Sequence, residues 1–219
     1  MFGILDLPLF IVSGILLNIA PGPDSLLIVT RSTQYGWRAG SAAALGIGTG
    51  TLIHILAAAL GLSALLVASS TAFTIVKLVG AAYLVYAGIQ LLWQNRKRKF
   101  ASTQETATEH KSTKPLPLRR IFTQGFLTNI LNPKVAVFFL AFVPQFIAPE
   151  AQNKALAFII LGCIFNFNGM LWCHFLAFSA AYARHKVQLN QTLNLWLNRS
   201  IGVLFISFGI KLALSKNPT

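Results

Sequence analysis

Long apolar stretches, broken by short polar gaps, dominate the chain. The first runs from about Leu7 to Thr30. No charged residue occurs between Arg38 and Lys77. That distance is too long for one membrane span of about 20 residues. It predicts a helix over roughly Gly40–Val67, a tight turn at Ser69-Ser70-Thr71, and a third helix ending near Trp93. A polar segment with Arg96-Lys97-Arg98-Lys99 follows, then Ser, Thr, Glu and Lys through Lys114, which reads as a flexible loop. Further apolar stretches run from about Ile121 to Ile147, Ala155 to Ala183 and Leu195 to Leu214. The strands of a transmembrane barrel would alternate and be about half as long. The pattern therefore predicts an all-α polytopic membrane protein with six transmembrane helices.

Composition agrees. Of the 219 residues, 55% are hydrophobic and 11% charged, against about 25% charged in soluble domains. Disorder of the whole chain is excluded on the same ground. The net charge of +13 does not indicate nucleic acid, because eight of the 18 basic residues lie between Arg96 and Arg120 and most others fill gaps between spans. Cytoplasmic loops carry Lys and Arg in this way. Loops after spans one, three and five hold thirteen bases against two on the opposite side. The long loop is thus expected in the cytoplasm and both termini in the periplasm. The first stretch has neither a basic leader nor an A-x-A site and is expected to be retained. Cys163 and Cys173 share one apolar stretch and form no CxxC pair, so no cofactor and no metal site is expected.

An internal repeat divides the chain. Gly14-Ile15-Leu16-Leu17-Asn18-Ile19 resembles Gly125-Phe126-Leu127-Thr128-Asn129-Ile130 at an offset of 111, and Gly80 to Gly88 resembles Gly202 to Gly209. Three spans per half insert in opposite senses. The expected organisation is a three-helix repeat over 1–93, a basic cytoplasmic loop over 94–120 and a second, inverted repeat over 121–219. Chance agreement of apolar helices is the competing explanation.

Each half carries a break. Pro21-Gly22-Pro23-Asp24 interrupts the first span, and Asn132-Pro133-Lys134 interrupts the fourth. Proline removes a backbone hydrogen bond, and in lipid the freed groups need partners from protein or a wet cavity. A single such break is commonly a packing kink. Paired breaks in matching places point to a transport site. Asp24 is the one acid inside the apolar spans. It needs a partner, a proton or water, unless it is an interfacial cap. Lys134 is an ion partner for it or snorkels to the interface. Asn18 and Asn129 recur at the repeat offset. His54 continues the stripe Ala42, Gly46, Gly50 and is a core histidine or a proton relay. Gly46-x-x-x-Gly50 allows close approach of another helix.

These motifs resemble the lysine exporter (LysE/RhtB-type) family of amino-acid exporters. The resemblance rests on Asn18-x-x-Pro21-Gly22-Pro23-Asp24, Gly36-x-Arg38-Ala39-Gly40, Ala44-Leu45-Gly46-Ile47 before His54, Lys77-x-x-Gly80-Ala81-Ala82-Tyr83-Leu84-x-Tyr86-x-Gly88, and Gly125-Phe126 with Asn129-x-x-Asn132-Pro133-Lys134. It covers nearly the whole chain outside the 94–118 loop and the last residues. It implies a bacterial inner-membrane protein, not an enzyme, that exports an amino acid in exchange for protons. An inorganic cation exporter of the wider superfamily is the alternative, although one carboxylate makes a poor divalent-ion site. The span-five segment with Asn166, Asn168 and Trp172 matches no family motif. The expected partners are the amino acid, protons and the bilayer, with no nucleic acid; a homodimer is a compatible assembly. The expected site comprises Asp24, Asn18, Pro21, Gly22, Pro23, Asn129, Asn132, Pro133, Lys134 and His54.

The charge asymmetry predicts a labelling pattern. With Cys163 and Cys173 removed, an impermeant maleimide should label Ser215→Cys in intact cells and Ser102→Cys only after permeabilisation. Labelling of Ser102→Cys from outside would reverse the orientation.

Overall fold

The structure, a computed structural model, describes residues 3–62 and 116–182, with scattered helical positions between 74 and 89 and between 203 and 214. The expected turn at 69–71, the end of the third span at Trp93, residues 94–115 of the expected loop and much of the repeat match over 80–88 and 202–209 lie outside the described residues. Among those described, every regular element is helical. Helix α1 spans Leu7–Ile19, α2 Pro23–Tyr35 and α3 Trp37–Ala57. Helix α4 spans Leu118–Ile130, α5 Pro133–Val137 and α6 Lys154–Tyr182. A π-helical turn over Ala58–Leu62 extends α3. Another, Phe138–Phe142, extends α5 and leads into a 3₁₀ turn at Val143–Phe146.

The apolar run from Trp37 to Gly61 and α6 are each long and apolar enough to cross a membrane. Two further pairs qualify when each bent pair is counted together: α1 with α2, meeting at 52°, and α4 with the segment Pro133–Phe146, meeting at 48°. Both bends fall at the proline motifs. Pro23 and Pro133 each stand at the first position of the helix that resumes, where a missing N–H costs nothing and the fixed φ suits the helix.

Element ends differ from the sequence expectation in two places. Helix α2 continues to Tyr35, and the loop after it is the single residue Gly36, with φ 85°. Only glycine takes that conformation without strain. Helix α4 begins at Leu118, so Arg119 and Arg120, expected in the loop, lie in its first turn.

Helix α3 is central, packed against α4, α6 and α2. Its contact with α4 is made by glycine. A Cβ at Gly46 would strike the carbonyl oxygen of Phe122, and one at Gly125 the carbonyl oxygen of Ala43. At Gly50 it would stand 2.9 Å from Asn129 Oδ1 and 3.1 Å from the Phe126 carbonyl. The partner that the Gly46-x-x-x-Gly50 spacing admits is therefore α4, approached backbone to backbone.

Two packed clusters flank this contact. One is built from small residues, Ala39, Ala43, Ala44 and Ala177, with Ile28, Ile47 and Ile121. The other is aromatic. Phe10 meets Phe146 edge-on at 5.3 Å, and Phe138 stacks on Phe165 at 4.3 Å, within a cluster that includes Phe139, Phe142 and Phe158. The N-terminal segment closes the aromatic end. Leu5 N–H donates to the Phe146 carbonyl (2.8 Å), and Ala148 N–H to that of Gly3 (2.7 Å).

The glycine contact predicts a contrast in stability. Gly46→Ala should lower the melting temperature of the purified protein by at least about 3 °C, because overpacking backbone against backbone costs about 1–3 kcal/mol. Among the described residues nothing lies within 4 Å of a Cβ at Gly61, so Gly61→Ala should leave the melting temperature within about 1 °C of wild type. Equal behaviour of the two variants in thermal unfolding would contradict the packing.

Candidate functional site

The two breaks lie side by side, and their side chains cross between them. Asp24, in the first turn of α2, accepts hydrogen bonds at Oδ2 from Asn129 Nδ2 (2.9 Å) and Asn132 Nδ2 (3.2 Å). Asn129 closes α4, and Asn132 sits in the second break. Both are buried. The other carboxylate oxygen, Oδ1, is buried and has no hydrogen-bond partner among the described residues. A helix N-terminus favours a negative charge, and no side chain caps the first turn of α2.

Lys134 reaches the opposite way. Its Nζ donates to the carbonyls of Leu17 (3.4 Å) and Ala20 (3.2 Å), at the end of α1. This destination is neither the ion pair with Asp24 nor the interface. The ammonium's hydrogen bonds go to backbone carbonyls rather than to the carboxylate. Leu17 is the residue whose carbonyl an unbroken helix would bond to residue 21, and residue 21 is proline. Lys134 thus supplies the donor that Pro21 lacks. A cation at a helix C-terminus also opposes the dipole favourably.

The second break repeats the logic. The Asn129 carbonyl would bond to residue 133, which is proline. It accepts instead from the Asn132 N–H at 3.0 Å, with His54 Nε2 at 3.2 Å. Because a carbonyl only accepts, that bond requires the proton on Nε2. His54 also stacks on Phe139 with ring centroids 6.3 Å apart. Asn132 Oδ1 accepts from the Lys134 N–H at 3.0 Å and caps α5.

A cavity of about 40 Å³ opens beside these groups. At about 10–15 Å³ per water, it holds a few waters. Among the described residues its polar lining is Asn18, Asp24, Ser25, Thr51, Asn129, Lys134, Asn166 and Cys173. Leu17, Ile47, Val135, Phe165 and Met170 supply apolar walls. Of the residues expected from sequence, Asp24, Asn18, Asn129 and Lys134 line the cavity. Asn132 and His54 stand behind it, bonded to those that do. Pro21, Gly22, Pro23 and Pro133 shape the breaks without lining it. Asn18 is held by Nδ2 to the Phe165 carbonyl (3.4 Å), and Gly169 leaves it room, since a Cβ there would stand 3.0 Å from Asn18 Oδ1.

Thr51 does not stand out in the sequence. It is buried, one helical turn from Ile47, and its hydroxyl lies 3.1 Å from the Ile47 carbonyl and 3.3 Å from Asn129 Oδ1. A threonine that bonds within its own helix gives no signal in sequence, and its contact with α4 depends on the glycines beside it. Asn166 faces the cavity, whereas His174 bonds the Met170 carbonyl of its own helix at 2.9 Å. The Trp172 Nε1 is buried without a partner among the described residues. Cys163 and Cys173 are free thiols, and Cys173 lies in the cavity wall.

Comparison with known proteins identifies the class. The LysE type translocator family profile matches residues 15–216. A membrane protein of Pseudomonas aeruginosa is 31% identical over 96% of both chains. The membrane protein YrhP of Bacillus subtilis is 34% identical over 90% of this chain and 93% of its own length. A leucine efflux protein of Salmonella typhimurium is 29% identical over 97% of this chain and 96% of its own. No solved structure matches. A membrane transporter rather than an enzyme, the chain belongs to the LysE type translocator family.

Proposed function

We propose that the protein exports an amino acid, or a close derivative, from the bacterial cytoplasm in exchange for protons. The observation that carries this reading is the Asp24 carboxylate. One of its oxygens is held by two asparagines from the second break, and the other is buried beside a cavity with no donor among the described residues. An unmatched buried acceptor of this kind favours a proton or a substrate ammonium group. The leucine efflux proteins among the relatives favour an amino acid over an inorganic cation.

In this reading the zwitterion binds between the breaks, near the midplane. Its ammonium meets Asp24 Oδ1. Its carboxylate meets the uncapped first turn of α2, where N–H groups point outward. The first turn of α5 is less open, since Asn132 already caps it. Asn18 and Asn129 add neutral hydrogen bonds. A substrate ammonium and a proton exclude one another at a single carboxylate, and that exclusion couples export to proton entry. The small cavity means that an amino acid enters only when the halves part. The halves are the inverted repeats 1–93 and 121–219, joined by the cytoplasmic loop 94–120. The protein sits in the inner membrane with both termini in the periplasm.

Asp24→Asn tests the coupling. Asparagine keeps an acceptor for Asn129 and Asn132, so the variant should fold and insert. Net efflux from proteoliposomes should fall at least about tenfold, equivalent to about 1.4 kcal/mol, and should lose its dependence on the proton gradient. Asp24→Glu should keep part of the activity. Wild-type efflux with unchanged coupling in Asp24→Asn would place the coupling group elsewhere.

A further inference from the structure

The end of α1 presents two carbonyls to one cation. Leu17 O has no backbone donor because residue 21 is proline, and Ala20 O lies beyond the last helical turn. Both converge on Lys134 Nζ, at 3.4 and 3.2 Å. Position 22 leaves the space: a Cβ there would stand 3.2 Å from Nζ, closer than ordinary contact. Carbonyls at the unwound end of a half-helix are a ligand set that membrane transporters offer to small monovalent cations. Here the cation is covalently tethered.

We propose that the Lys134 ammonium occupies a carbonyl cation site at the end of α1, and that removing it leaves a site for a free small cation, Na⁺ or a primary ammonium ion. The tethered charge forecloses sodium binding at this place in the wild type. The Pro21-Gly22 pair then divides the chemistry between its two residues. Pro21 frees the Leu17 carbonyl, and Gly22 makes room for the cation that takes it.

Thermal unfolding of the purified full chain in detergent tests this without any substrate, so its outcome is independent of what the protein exports. Ionic strength is held at about 0.15 M with choline, sodium or methylammonium chloride. Lys134→Ala should melt below wild type in choline. Sodium or methylammonium should raise the variant's melting temperature by at least about 3 °C, saturably, while wild type should respond equally to all three salts. Choline's quaternary ammonium has no N–H to donate to these carbonyls. A variant indifferent to the choice of cation would overturn the proposal. If Lys134→Ala yields no folded protein, the double variant Pro21→Ala with Lys134→Ala decides, because residue 21 then regains an N–H for Leu17 O. Recovery of folded protein in the double variant supports the proposal, and failure to recover overturns it.

Discussion

A proline inside a lipid-embedded helix leaves one carbonyl without its donor, and lipid offers no replacement. Two such carbonyls stand at corresponding places, Leu17 before Pro21 and Asn129 before Pro133. Neither is met mainly by a side chain of its own helix. Lys134 crosses from the second break to Leu17, and His54 crosses from α3 to Asn129. The opposite charges of Asp24 and Lys134 follow from the same arrangement. Each is the second residue of a resumed helix, after Pro23 and Pro133. Asp24 sits where amides are left over and accepts from the far asparagines, while Lys134 reaches carbonyls left over at the end of α1. The first break is completed by the second, so the first half without it would lack the donors for the Asp24 carboxylate and the Leu17 carbonyl, and leaving such groups unpaired in a dry interior is costly.

Much of this is legible in the chain itself. The spans, the two proline breaks and the glycine stripe on α3 are local patterns, and local patterns survive in sequence. Asp24 is conspicuous because an acid in an apolar stretch violates the pattern around it. The destinations of long side chains are not legible. Lys134 has four methylenes, and whether they lead to Asp24, to the interface or to Leu17 depends on where α1 ends relative to α5. His54 reads as a core histidine or a relay; its carbonyl partner lies 75 residues away and emerges only once α3 and α4 pack. Thr51 and Cys173 escape a sequence reading because neither departs from what a membrane helix ordinarily contains. The helix boundaries at Tyr35 and Leu118 are misread from sequence because charged residues there suggest loops, although Arg31 lies inside α2 and Arg119 and Arg120 lie in the first turn of α4.

The cavity draws its walls from both packing regimes. Ile47, from the alanine-rich cluster, faces it from one side, and Leu17, Val135 and Phe165, from the phenylalanine cluster, face it from the other. Polar groups from both breaks face the space between them, joined by Thr51, Asn166 and Cys173. Carbonyls and amides freed from helical bonding are thereby gathered in one layer with the asparagines, the lysine and the carboxylate. Lipid-exposed backbone could not carry this concentration of polar groups.

The glycine contact between α3 and α4 has a mechanical consequence. Gly46 and Gly125 press main chain against main chain, with the carbonyls of Phe122 and Ala43 as the touching surfaces. Side chains can change rotamer to let two helices slide, but a peptide plane has no rotamers. This joint therefore resists sliding of α3 along α4. The phenylalanine cluster that flanks it is held by ring contacts, which can reorient without breaking a hydrogen bond.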